Sequence, residues 1–108
     1  MAAPTVVASG TVTANGTEQT LHTTATGAHY SATVDLTNMA TSDVTEIRIY
    51  KKVLTGSTLR QVDIYTFTDA QTNPNFYIPF VSCPFGYKLT LKQTSGSGKN
   101  YEWSVENP

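Results

Sequence analysis

Residues 43–67 read DVTEIRIYKKVLTGSTLRQVDIYTF, two alternating runs separated by Thr55-Gly56-Ser57. In the first run Ile47, Ile49 and Val53 share one parity, and Glu46, Arg48 and Lys52 share the other. In the second, Val62 and Ile64 alternate with Gln61 and Asp63. A period of two describes a strand with one dry face and one wet face. The segment therefore predicts a long antiparallel hairpin, with Gly56 supplying the backbone freedom of a tight reversal. A chain built round such a hairpin needs further strands to cover its dry face.

The remaining sequence supplies them. Thr11-Val12-Thr13 leads into Asn15-Gly16, a strong hairpin signal, and residues 18–21 begin the return. Residues 28–36 alternate, with Tyr30, Ala32, Val34 and Leu36 inward. Residues 37–42 form a polar connection with room for one helical turn. Residues 68–75 are turn-rich and hold Asn73-Pro74. Residues 76–82 are apolar on both parities: Phe76, Ile78 and Phe80 on one, Tyr77, Pro79 and Val81 on the other. Proline cannot donate to a ladder, so Pro79 implies an edge strand or a bulge. Tyr87, Leu89 and Leu91 alternate with Lys88, Thr90 and Lys92, and Tyr101, Trp103 and Val105 with Glu102 and Ser104. No helical period is sustained anywhere. About eight short strands predict an all-β fold: a single-domain antiparallel β-sandwich, jelly-roll-like. Residues 1–4 are expected to be loose. Residues 1–10 read as an N-terminal arm or a first edge strand, and 11–108 as the sandwich domain.

Only 14% of the 108 residues are charged, against about 25% in an average soluble domain. Threonine fills the gap; it favours strands and covers a wet face without charge. Such a surface desolvates at low cost, which suits packing against neighbours. The formal net charge is −1, with dispersed Lys and Arg, so neither a nucleic-acid footprint nor a polybasic membrane patch is expected. No apolar run reaches the roughly 18 residues of a membrane span. The N-terminal MAAPTVVASG lacks the basic region of a signal peptide.

The chemistry-bearing residues are few. Cys83 is the single cysteine and reads as a core-filling thiol. Gly96-Ser97-Gly98-Lys99 does not make a phosphate loop, because Asn100 and Gln93 stand where Ser/Thr and the first Gly belong. His22 and His29 have no Cys or carboxylate at ligand spacing, so no metal and no cofactor is expected. Of Asp35, Asp43, Asp63 and Asp69, most fall on wet parities or in turns. A hydrolase using Cys83 and a histidine lacks an orienting third group, so no enzyme is expected. Tyr50, Tyr65 and Phe67 oppose the aliphatic parity of their strands. They are an interface, a sugar-stacking platform, or core residues brought inward by a bulge.

Residues 15–21 (NGTEQTL), 34–39 (VDLTNM), 43–62, 77–80 (YIPF) and 87–105 (YKLTLKQTSGSGKNYEWSV) together resemble a group of small virion proteins of tailed bacteriophages. The resemblance covers nearly the whole chain and is carried by fold patterns, not site motifs. It implies a capsid decoration, or cement, protein made in the bacterial host cytoplasm and bound to the outer capsid surface. Its implied partners are the major capsid protein and copies of itself, a homotrimer ahead of a homodimer, with no nucleic acid and no membrane. The expected contacts are the N-terminal arm (Pro4, Val6, Val7), the 76–81 segment (Phe76, Tyr77, Val81) and the Tyr50, Tyr65 and Phe67 face. The alternative is a glycan- or host-binding module of a phage tail or fibre, stacking sugars on Tyr50, Tyr65 or Tyr77.

Overall fold

The two arms of the 43–67 hairpin are β4 (Val44–Lys51) and β5 (Arg60–Thr68), paired antiparallel from Val44↔Thr68 to Lys51↔Arg60. They belong to a computed structural model that describes residues 4–96 and 98–107. The reversal occupies residues 52–59 and is closed by the Ser57 N–H donating to the Leu54 carbonyl at 3.0 Å. Gly56 does not take a positive φ, because a loop of this length turns without one.

Ile47 and Ile49 point into the core. Two expectations for this hairpin are corrected. Val53 leaves the strand for the reversal and is 74% exposed. Val62 and Ile64 face solvent. Tyr65 and Phe67 turn inward, because they stand opposite Ile47 and Thr45, and cross-strand partners share a face. A register shift between Ile49 and Tyr50 then moves the upper part of β5 out of phase.

The other strands are β1 (Thr5–Thr13), β2 (Gln19–Thr24), β3 (Ala28–Asp35), β6 (Asn75–Cys83), β7 (Tyr87–Ser95) and β8 (Asn100–Asn107). Among the described residues these eight strands form two antiparallel four-stranded sheets, β1-β8-β3-β6 and β2-β7-β4-β5. Both contribute to one core, so the molecule is an all-β single-domain sandwich. β1 pairs with β8 from Thr5 to Thr13, so residues 5–10 are an edge strand of the chain's own sheet. Met1–Ala3, expected to be loose, lie outside the described residues.

Asn15-Gly16 is a turn but not a hairpin. The Asn15 side chain accepts from the Thr17 N–H at 3.1 Å and hydroxyl at 2.6 Å, and Gly16 has φ 85°. The chain nevertheless changes sheets here. Buried Ala14 donates its N–H to the Lys99 carbonyl at 2.9 Å, which fixes it to the β7–β8 connection instead of to β2. That connection also passes between sheets and so is no hairpin; its Ser97 lies outside the described residues. Residues 37–42 hold hydrogen-bonded turns and no helix, with Met39 buried.

β6 is both an edge strand and bulged, the two conditions Pro79 demands. Tyr30 faces Val81 and Ala32 faces Ile78, so Pro79 and Phe80 together oppose Ser31 alone. The bulge reverses the parity beyond Ile78. Val81 and Cys83 turn inward, and Phe80 turns out with Tyr77.

Three tyrosines fill the middle of the core, each at most 1% exposed. Tyr30 and Tyr87 stack at 5.2 Å. The Tyr30 hydroxyl donates to the Thr26 carbonyl at 2.8 Å, and the Tyr101 hydroxyl shares a buried 2.7 Å hydrogen bond with Thr45. The Tyr87 hydroxyl is buried with no partner among the described residues. An unpaired buried hydroxyl destabilises, whereas a paired one stabilises. Tyr87→Phe is therefore expected to stabilise the protein by about 1 kcal/mol, and Tyr101→Phe, which orphans Thr45, to destabilise it by about 1–2 kcal/mol. Urea unfolding followed by Trp103 fluorescence reads both signs; equal effects of the two variants would contradict the assignment.

Candidate functional site

Edge strands β5 and β6 lie on the same side of the sandwich, where an aromatic cluster closes the gap between the sheets. Phe76 packs at 4.8 Å from Tyr65 and 4.7 Å from Phe67, both inclined. Edge-inclined rings at this spacing attract beyond their burial alone. Tyr65, Phe67, Phe76 and Val81 all pack against the core and are half-buried, so their rings and methyl groups serve the fold first.

Pro4, Val6, Val7 and Tyr77 are the expected contact residues that stay open to a partner. Val6 is 57% exposed and Tyr77 51%. Val7 sits at a register shift on β1, which remains an edge strand with one unpaired side.

Sequence parity missed the rest of the apolar surface. Val53, Leu54, Val62, Ile64 and Phe80 are all exposed. The Lys51 ammonium donates to the Ser82 carbonyl at 2.6 Å, which ties the end of β4 to the end of β6. The 52–59 reversal thereby lies beside the end of β6, at the corner where edge strands β5 and β6 meet; Ile64 faces outward from one sheet there and Phe80 from the other. Pro79 was the available signal for Phe80; nothing in β5 separated its aliphatic parity from its aromatic one.

Tyr50 lies half-buried on the outer face of the β2-β7-β4-β5 sheet. Its hydroxyl and that of Thr90 donate to Glu18, and Arg48 bridges Glu18 at 2.8 Å and Glu46 at 3.0 Å. The Lys88 ammonium stands 4.9 Å above the Tyr50 ring. One edge and one face of Tyr50 are thus occupied, which leaves a poor sugar platform. Burial opposes the Glu18 charge, but hydrogen bonds from Tyr50, Thr90 and Arg48 outweigh it and hold the carboxyl below its usual range. On β2, half-buried His22 lies 6.4 Å from the Tyr30 ring, with Nε2 unpartnered among the described residues. Burial lowers its pKa.

Both shifts act in the same direction. A histidine with a lowered folded pKa binds fewer protons folded than unfolded, so stability falls as pH drops below the unfolded value of about 6.5. The Glu18 contribution is present above its unfolded pKa of about 4.3 and is lost as pH falls through the lower folded value. Thermal melts from pH 8 to pH 3 are expected to show two losses. His22→Gln abolishes the upper one and Glu18→Gln the lower. A melting temperature that rises between pH 7 and pH 5.5 would contradict this.

Cys83 is 0% exposed; burial pushes its thiol pKa up against a weaker opposing pull from Lys51, which disfavours the nucleophilic thiolate. Among the described residues no group of three or more His, Cys, Asp or Glu gathers to hold a metal.

Two shallow depressions lie on the outer face of the β1-β8-β3-β6 sheet. One cavity of about 300 Å³ is lined by Thr33, Asp35, Asn75, Glu102, Trp103 and Ser104. A second, of about 380 Å³, adds Thr11, Thr37, Asn38 and Asn100 and shares Asp35 and Glu102. No family model matches the chain, and no curated protein or solved structure matches it.

Proposed function

We propose that this chain is a capsid decoration protein of a tailed bacteriophage. It is a homotrimeric jelly roll that binds the outer surface of the head, contacts the major capsid protein and stabilises the shell by bridging capsomers. It is made in the host cytoplasm and joins the assembled head. The observation that carries the reading is the exposed apolar surface of Val53, Leu54, Val62, Ile64, Tyr77 and Phe80 on and beside two edge strands. Large apolar side chains exposed together on edge strands mark an interaction site. The strand order supports the jelly roll: six of the seven connections pass between sheets, and only β4–β5 stays within one. The sequence resemblance and the low charge support the virion role.

The physics of cementing asks for little more. One copy burying on the order of 1,600 Å² makes a specific contact. Many copies on a lattice then resist separation together. A unit that binds only the assembled shell stabilises that shell by mass action.

Mixing the purified protein with expanded, undecorated heads tests the reading. Co-sedimentation in near-stoichiometric amounts, together with heads that withstand higher temperature, is the expected result. Heads that pellet without it and melt unchanged would overturn the proposal. Sedimentation velocity of the free protein reads the trimer.

A further inference from the structure

We infer that the outer face of the β1-β8-β3-β6 sheet, at these two depressions, is a binding site for a neutral oligosaccharide. This goes beyond shell binding and does not rest on it. The two depressions share Asp35 and Glu102, so they adjoin as one shallow trough whose lining draws on all four strands. Three interstrand steps of about 4.8 Å make it roughly 14 Å wide, enough for a short saccharide.

The lining sets the ligand class. It holds two carboxylates, side-chain amides and hydroxyls, and among the described residues no Lys, Arg or His lines either cavity. Carboxylates accept from sugar hydroxyls, and amides both donate to them and accept from them. Asn38 Nδ2 already donates to the Asn100 carbonyl, and Asn100 Oδ1 accepts from the Thr13 hydroxyl. Among the described residues the Glu102 carboxylate and the Asn75 amide have no hydrogen-bond partner, and Asp35 spends only Oδ1, on Thr37, so these three are available. Tyr77 stands beside the trough as the cross-strand partner of Thr33, half of its surface open. A tyrosine ring there offers an apolar platform for the C–H face of a sugar. Two carboxylates without a neighbouring cation repel uronates and sialates, so the site selects against acidic glycans.

Titrating the isotope-labelled full chain, in EDTA, with cellotetraose, chitotetraose, mannotetraose and tetragalacturonate tests the site by amide chemical shift. At least one neutral tetrasaccharide is expected to saturate shifts clustered at Thr33, Asp35, Asn75 and Glu102. Losing one hydrogen bond weakens binding by about tenfold, which is the effect expected of Asn75→Ala and of Glu102→Gln. Both residues are exposed, so the variants keep the parent spectrum elsewhere. Tetragalacturonate is expected to bind more weakly than the best neutral probe. The inference is overturned if none of the neutral probes moves those amides, if the shifts map to another surface, or if the acidic probe binds equally well. Co-sedimentation of Asn75→Ala with heads separates the two readings, because it reports on shell binding alone.

Discussion

Gly86→Ala is expected to destabilise the protein by about 4 kcal/mol. Gly86 has φ 121°, which side chains rarely adopt, and a Cβ there would stand 2.5 Å from the Thr24 carbonyl oxygen. The clash is with backbone, so no rotamer relieves it. Gly27, in the facing turn, repeats the arrangement: its Cβ would stand 2.1 Å from the Pro84 carbonyl oxygen. The β2–β3 and β6–β7 turns therefore meet backbone to backbone, and each needs the other to carry a glycine. Unfavourable φ costs about 1–3 kcal/mol and a forced displacement a further 1–3 kcal/mol. A loss of about 4 kcal/mol is a large part of the 5–15 kcal/mol that holds an ordinary domain. Gly16→Ala is the control. Gly16 also has a positive φ, but nothing lies within 4 Å of its Cβ position, so it loses only the conformational part. Urea midpoints should fall far more for Gly86→Ala than for Gly16→Ala; equal shifts would show that the two turns do not interlock.

The second large effect concerns adhesion. On the proposed reading, replacing Ile64 and Phe80 together by glutamate removes two apolar anchors from the β5–β6 corner. Anchors of this kind carry about 2 kcal/mol each, so head affinity is expected to drop by about a thousandfold. Ile64 is 37% exposed and Phe80 40%, so the pair should cost about 1 kcal/mol of unfolding free energy, far less than the loss in binding. Thr23→Glu, exposed on β2 at the opposite edge of its sheet, should bind heads normally. A double variant that binds like the parent would remove this corner from the contact surface.

Much of the sandwich is legible in the alternation of single strands. Tyr30, Ala32 and Val34 on β3, and Tyr87, Leu89 and Leu91 on β7, are buried as their parity predicts. These strands lie inside their sheets or pair along most of their length, so one face is plainly dry. The edge strands are where parity misleads. On β5 both parities are apolar, and the choice falls to Phe76, a residue of the other sheet that offers Tyr65 and Phe67 a ring to pack on. On β6 the Pro79 bulge turns Phe80 outward and Val81 inward. A bulge is a relation between two strands, and a single strand's sequence marks only that one is permitted. Asn15-Gly16 shows a similar limit: a turn motif fixes local geometry, while Ala14 and Lys99 decide which sheet the chain enters. The exposed corner was hidden for the same reason, since its members follow from register and from the Lys51–Ser82 tie. The polar trough also escaped, because Thr, Asn and Asp on a wet parity look like ordinary surface until four strands set them side by side.

On the proposed reading, a reconstruction of the phage particle shows eight-stranded density on the outside of the head, spanning adjacent capsomers, with the corner where β5 and β6 meet turned toward the shell. A mature particle that lacks the chain, or density with that corner facing solvent and no capsomer beneath it, would overturn the reading.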